Sequence, residues 1–294
     1  MRIRVSGVEL FVDLDGRALG RRDGATVEKP VLLALHGGPG LDHANLAPWL
    51  APLAAHAQIL YVDHRGNGRS GRPPVEDCTL EAMADDLEAL RGVLGLGPLI
   101  VLGVSFGGMV ALTYTVRHPA GVARLIACVT AASGDFVDDA RRIARGCATP
   151  RQMEIVEHML CGTFRDETHF REGFATVAPL YEHRSDPALD ARAEPSVLNV
   201  AMINRFFSTE VKRYDLRPRL GEIRAPTLVL TGRHDWICAP SHSDTLLAGI
   251  PDARQVIFEE SGHRVIREEN ERFVQVVTEF IQSGEVSTAR RKPS

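Results

Sequence analysis

The 294-residue sequence has no run of about 18 apolar residues, so no segment of it is long enough to cross a membrane as a helix. Cysteine is scarce and scattered: five residues, at 78, 128, 147, 161 and 238, odd in number and without C-x-x-C spacing. That pattern argues against a disulfide framework and a zinc site and fits a reducing compartment, so a cytoplasmic location is expected. Charge of one sign is also in short supply. A net charge of −4 and a pI near 6.3 predict neither nucleic acid nor an anionic membrane as partner. Internal repeats and low-complexity tracts are absent, and Met1–Gly7 alternates charged and apolar residues without the apolar core of a secretory signal. What is there is a chain 44% hydrophobic and 24% charged, the make-up of an ordinary soluble globular protein. Its length suits one large α/β domain or two small ones.

The chain is organised around Gly103-Val104-Ser105-Phe106-Gly107-Gly108. The uncharged run Leu99-Ile100-Val101-Leu102 before it reads as a strand buried on both faces. Met109–Tyr114 after it lacks turn residues and reads as a helix stopped near Pro119. Strand, glycine-flanked serine and helix together form a nucleophile elbow, with Ser105 exposed at the apex of a strained turn. A bare Gly-x-Ser-x-Gly is also an ordinary connecting turn, and it is the setting between strand and helix that favours chemistry.

Around the elbow, Arg2–Val5 and Glu9–Asp13 read as short strands, followed by a polar surface stretch from Gly16 to Lys29. Val31–Leu35, Gln58–Val62 and Val122–Thr130 are further strands. A helical pattern spans Asn45–His56, and Thr79 caps a helix running to about Leu94 with Asp85 and Asp86 on its polar face. Alternating strands and helices with wholly apolar strands predict a parallel sheet covered on both faces. From about residue 133 to 218 only helical segments are found: Asp138–Arg145, Pro150–Leu160, Asp166–Ala175 and Pro195–Phe207. The sheet rhythm then returns with Thr227–Thr231, a helix over Ser241–Gly249, Arg254–Phe258 and a last helix over Glu268–Gln282. The expected organisation is therefore a core of 1–132 and 219–282, an all-helical cap of 133–218 inserted after the sixth strand, and a flexible tail of 283–294 containing Arg290-Arg291-Lys292.

A serine at an elbow needs a base, and the base needs an acid, each just beyond the end of a later strand and in the chain order Ser, acid, His. Asp235 follows the strand Thr227–Thr231 and His263 follows the strand ending at Phe258. Ser105, Asp235 and His263 are thus the candidate catalytic residues. Among the other ten histidines, His36 is expected to brace its own loop and His234 to point elsewhere. Asp63 and Arg65 are expected to pair with each other, and Glu259 and Glu260 to be surface residues. Oxyanion donors are assigned to the N–H of Phe106, at a helix N-terminus, and of Gly38 in His36-Gly37-Gly38-Pro39-Gly40. No metal site and no cofactor cradle is visible, and the chemistry needs none.

These residues resemble the α/β-hydrolase superfamily, and most closely its proline iminopeptidase-like branch. The likeness rests on His36–Gly40, on Asp63-His64-Arg65-Gly66-Asn67-Gly68-Arg69-Ser70, on the elbow, on Gly232-Arg233-His234-Asp235 and on Ser261-Gly262-His263. It implies the α/β-hydrolase fold and a serine hydrolase acting through an acyl-enzyme on a small ester or amide, as an esterase or an aminopeptidase. A lactonase, a carbon–carbon bond hydrolase with the same triad and a non-catalytic small-ligand receptor remain alternatives, and the oligomeric state is open. The branch typically has Gly-Gly-Ser-Trp-Gly at the elbow, where this chain has Gly103-Val104-Ser105-Phe106-Gly107. Its aminopeptidases hold the substrate ammonium with cap glutamates, one in an Asn-Glu-Phe-like stretch. Asn204-Arg205-Phe206 here puts Arg205 at that place, with Glu210 as a substitute acid. Arg205 either favours a substrate carboxylate or carbonyl or pairs with a cap acid. Arg205, Glu210 and Trp236 are the candidate substrate-binding residues.

Overall fold

The computed structural model describes residues 1–22, 25–184, 186 and 195–283. Its strands are β1 (Arg2–Val5), β2 (Val8–Asp15), β3 (Leu19–Arg22), β4 (Ala25–Glu28), β5 (Val31–Leu35), β6 (Gln58–Val62), β7 (Leu99–Val104), β8 (Val122–Cys128), β9 (Thr227–Gly232) and β10 (Ala253–Phe258). Eight of them form one sheet in the order β1-β2-β6-β5-β7-β8-β9-β10. From β6 to β10 every neighbour is parallel, and β1 and β2 are antiparallel additions at one edge. Side chains alternate across these strands, so each strand feeds two cores. Leu33, Leu35 and Val101 enter the core on one face, while Leu32, Ala34, Ile100 and Leu102 enter the core on the other. All six residues of β7 and all six of β9 are buried, which is why neither carries a charged residue.

On one face lie α2 (Leu80–Val93) and α3 (Phe106–Arg117). On the other lie the helix Asn270–Gln282 and the stretch containing α1 (Ala47–Leu50). Between β8 and β9 the chain forms α4 (Phe136–Cys147), α5 (Pro150–Cys161), α6 (Glu167–Val177) and the short helix Val200–Arg205, which runs into a π-turn over Phe206–Glu210. Their starts follow the sequence. Thr149 and Gln152 close a capping box on α5, and Asp166 accepts the His169 N–H at 2.8 Å on α6.

Several local expectations change. The stretch Gly16–Lys29 contains the antiparallel hairpin β3–β4, a pair with little buried surface and so no apolar alternation to announce it. Asn45–His56 is not one helix but a 3-10 turn, α1 and a second 3-10 turn over Ala51–Ala55, because Pro52 supplies no N–H to continue the ladder. The strand from Val122 ends at Cys128. Asp86 does not lie on a solvated face: it is buried, and Arg65 grips it with Nε at 2.6 Å and Nη2 at 2.5 Å. Asp85, one residue earlier, does reach the surface and pairs with Arg117 at 2.7 Å. Of the expected tail only Ser283 belongs to the described residues, so the basic cluster at 290–292 lies outside them.

Candidate active site

β7 delivers the chain directly to Ser105, whose φ of +55° and ψ of −118° place a non-glycine residue in a costly region of backbone space. The elbow closes only because its flanks are glycine. A Cβ on Gly103 would stand 2.3 Å from the Gly107 carbonyl oxygen, and one on Gly107 would stand 2.3 Å from that of Leu35. The turn is held from β8's end. Ser105 N–H donates to Cys128 O at 2.9 Å, and the Thr130 hydroxyl donates to Ser105 O at 2.8 Å. Thr130 was not singled out by sequence reasoning, because a threonine after a strand has no distinguishing pattern.

The structure brings Ser105, His263 and Asp235 into one hydrogen-bonded line. Ser105 Oγ lies 3.0 Å from His263 Nε2, and His263 Nδ1 lies 2.7 Å from Asp235 Oδ2. A proton on Nδ1 satisfies both contacts and leaves Nε2 as the acceptor of the hydroxyl proton. The other oxygen of Asp235 accepts the N–H groups of Ile237 and Cys238, each at 2.9 Å, so the buried carboxylate is fixed on both sides. His263 is held as closely. Its N–H donates to Tyr181 O at 2.8 Å, and the Tyr181 ring meets the imidazole edge-on at 5.5 Å. Glu268 accepts the Gly262 N–H at 2.8 Å, and Glu269 accepts the Ser261 hydroxyl at 2.7 Å. Burial pushes the Glu268 carboxyl above its ordinary value, although three backbone N–H bonds pull it back.

Gly37 and Gly38 face the elbow. A Cβ on Gly37 would lie 3.3 Å from Ser105 Cβ, and Gly38 has φ +63°, a turn that a side chain would strain. Among the described residues no acceptor receives the N–H of Gly38 or of Phe106, which leaves both available to a substrate oxygen. His36 braces this loop as expected, with Nδ1 3.1 Å from Gly37 O and Nε2 accepting the His64 N–H at 3.3 Å. Burial drives His36 below, and His64 well below, the usual histidine range, so both are neutral.

The expected Asp63–Arg65 pair does not form. Asp63 pairs with His43 at 2.7 Å and Arg65 with Asp86. His234 stacks on His183 at 3.7 Å, away from Asp235, and Glu259 pairs with Arg233 at the surface.

The Ser105–His263 pair opens into a cavity of about 210 Å³. Apolar side chains from the segment between β8 and β9, among them Met159, Phe170, Phe174 and Phe207, form much of its wall. Gly37, Gly38, Asn45, Arg264 and Arg267 complete the wall from the strand-end side. Arg205, Glu210 and Trp236 do not line it. Glu210 Oε1 accepts the Leu80 N–H at 3.2 Å, at the start of α2, and its other oxygen lies 3.8 Å from Arg205 Nη2. Trp236 is buried behind Tyr181, ring to ring at 5.5 Å. Sequence reasoning missed Asn45, Arg264 and Arg267; two arginines after a loop histidine read as surface charge, and only the fold turns them inward. No group of three metal-ligating side chains occurs among the described residues.

A glycine-pinned serine, a histidine and a buried aspartate thus meet at the ends of parallel strands. The chain belongs to the α/β-hydrolase fold family, whose model matches residues 30–269. It is a hydrolase, with proline iminopeptidases among its relatives. It is 31% identical over 281 residues to the proline iminopeptidase PfmaB of Pestalotiopsis fici, covering 92% of this chain and 99% of that one. The proline iminopeptidase of Saccharolobus solfataricus is 27% identical over 263 residues, covering 85% and 84%. Among solved structures, an α/β-fold hydrolase from Bacillus anthracis superposes with a TM-score of 0.79 at 22% identity, covering 95% and 98%. The proline iminopeptidase of Mycobacterium smegmatis gives 0.72 at 22% identity, covering 98% and 99%.

Proposed function

We propose that the protein is a serine hydrolase that cleaves a small carboxylic ester or amide through an acyl-enzyme. The observation that supports this most strongly is the continuous Ser105–His263–Asp235 hydrogen-bond line beside a largely apolar cavity. Ser105 Oγ attacks the substrate carbonyl carbon while His263 Nε2 takes its proton. Asp235 keeps the imidazole in the tautomer that can accept that proton and stabilises the imidazolium. The N–H groups of Gly38 and Phe106 donate to the carbonyl oxygen as it becomes an oxyanion, the interaction that strengthens most in the transition state. As the tetrahedral carbon collapses, the bond to the leaving group breaks and His263 returns the proton to it. Water then gives a proton to His263 and attacks the acyl carbon, and Ser105 leaves reprotonated with release of the carboxylic acid.

In this reading residues 1–132 and 219–282 form the catalytic core, and residues 133–218 form a cap that excludes water from the acyl-enzyme. The names of the relatives favour a second reading, removal of an N-terminal proline from a peptide. Hydrolysis of a short-chain nitrophenyl ester and of proline arylamide, each beside Ser105→Ala, separates the two. Turnover of either substrate that vanishes in Ser105→Ala supports the serine hydrolase, and turnover that survives the substitution overturns it. Fast arylamide cleavage selects the peptidase reading.

A further inference from the structure

Among the described residues, the polar side chains of the cavity wall are engaged with the protein, with one exception. Ser105 and His263 bond each other, the Tyr181 hydroxyl donates to Met159 Sδ at 3.2 Å, and Arg264 and Arg267 both meet Glu182. Asn45 is different. Its Oδ1 is buried without a hydrogen-bond partner, and its carboxamide bonds no other described residue. An acceptor withdrawn from water and left unpaired is costly, so it calls for an explanation. The backbone that carries it is pinned. Asn45 ends the 3-10 turn His43–Asn45, where Asp42 Oδ1 accepts the Ala44 N–H at 3.1 Å and His43 O accepts the Leu46 N–H at 2.8 Å. Asp63 Oδ1 fastens the same turn through the His43 N–H at 3.0 Å and Nδ1 at 2.7 Å. Leu41 and Leu46, which line the cavity from the same stretch, are apolar, as is most of the remaining wall.

Resting on the serine hydrolase reading, we propose that Asn45 is a specificity-determining residue and that the substrate is a largely apolar molecule with a hydroxyl that hydrogen-bonds the Asn45 carboxamide. The hydroxyl follows from the chemistry of the wall. A carboxamide carries no charge, so it offers no counter-charge to an ammonium or a carboxylate. A hydroxyl both donates and accepts, so it pairs with the carboxamide whichever of its two ends, oxygen or NH2, faces the cavity. A purely apolar substrate would leave the buried oxygen unpaired. A site built to bond a hydroxyl rejects the analogue without one far more strongly than an apolar pocket rejects a changed methylene. Because the turn is already pinned, the bond forms with little loss of freedom in the protein.

The test uses propyl butyrate and its monohydroxy derivatives, with the hydroxyl at C2 or C3 of the acyl chain or at C2 or C3 of the propyl group, and follows acid release. In the wild-type protein one derivative is expected to exceed the parent ester in kcat/KM by about tenfold, mainly through a lower KM. In Asn45→Leu that ratio falls to near one, whereas Asn45→Asp, which keeps the size and an acceptor oxygen, retains part of it. Labelling of Ser105 by a fluorophosphonate reports that the site of each variant is folded. A wild-type protein for which no derivative exceeds the parent, or an advantage that Asn45→Leu leaves intact, overturns the proposal. Ser105→Ala separates the two levels: cleavage that depends on Ser105 but is indifferent to every hydroxyl ends this inference and leaves the hydrolase standing.

Discussion

The molecule contains two buried histidine–aspartate pairs of nearly the same geometry. His263 Nδ1 and Asp235 Oδ2 are 2.7 Å apart, with side-chain exposures of 9% and 0%. His43 Nδ1 and Asp63 Oδ1 are also 2.7 Å apart, with exposures of 6% and 0%. What differs is the far side of each ring. Nε2 of His263 meets a serine hydroxyl on a strained elbow that opens to a cavity. Nε2 of His43 faces the Asp13 carboxylate at 3.6 Å, and its ring is stacked between Phe11 and Tyr61. Two acids around one imidazole favour its cation, which has no lone pair with which to take a proton. Burial lowers the His43 value, yet the Asp63 hydrogen bond and charge, with Asp42, raise it above the ordinary histidine range overall. Under the proposed mechanism, a His–Asp pair serves catalysis only when a nucleophile and a vacant space stand at its outer nitrogen. Otherwise it is a brace, and this one joins β2, β6 and the turn after β5.

The largest effect that could break this contrast is the loss of Ser105. Under the proposed mechanism, Ser105→Ala lowers kcat by about a million-fold while the melting temperature stays close to wild type. Asp235→Asn is next, lowering kcat by about ten-thousand-fold because the imidazole then adopts the wrong tautomer. Asp63→Asn reverses the pattern. It leaves kcat within a few-fold and costs about 3 kcal/mol in urea unfolding, since it removes the charge paired with the buried His43 and replaces one of the two oxygens that accept the His43 and Arg69 N–H groups by an amide donor. A comparable loss of kcat in both asparagine variants would erase the distinction between the two pairs.

A pH series sharpens it further. Because the His43 value is raised on folding, its stabilisation is complete below the unfolded value of about 6.5 and is lost as pH rises through the folded value. For Asp63, burial opposes ionisation, but the His43 hydrogen bond and two backbone N–H groups bring its value down to about 2. Its stabilisation is present above the unfolded value and disappears as pH falls from about 4 towards 2. The stability gap between wild type and Asp63→Asn should thus be widest near pH 5 to 6 and narrow on both sides, by thermal melts across the range. The smallest expected effect is at Glu210. Glu210→Ala removes the acceptor of the Leu80 N–H and costs about 1 kcal/mol, with no selective rise in KM for amine substrates.

The contrast between the pairs also marks what the sequence made legible. The elbow could be read because its chemistry is local: a buried strand, glycines at two fixed offsets and a helix restrict the backbone to one turn. Asp235 and His263 could be read because parallel strands deliver their following loops to one edge, whichever residues fill them. Asp63 was misassigned to Arg65 because proximity in the chain says little where the backbone turns sharply. Its partner His43 is 20 residues away, and that of Arg65 is 21 residues away. The helices after β8 were legible as helices through caps such as Thr149 and Asp166. Which of their apolar residues face a cavity and which face a core was not, since Phe174 and Phe170 follow the same helical spacing whether solvent or substrate fills the space beyond. Arg205 was a candidate through the likeness of Asn204-Arg205-Phe206 to an Asn-Glu-Phe stretch, but beside the π-turn at Phe206–Glu210 it lies 3.8 Å from Glu210 and does not line the cavity.

The most direct test of the central claim is the intact mass of the protein after exposure to a fluorophosphonate, with peptide mapping of the adduct. The account predicts one phosphonyl group per chain, located on Ser105 and missing in Ser105→Ala. A folded wild-type protein that takes up no label, or an equal label in Ser105→Ala, would contradict it.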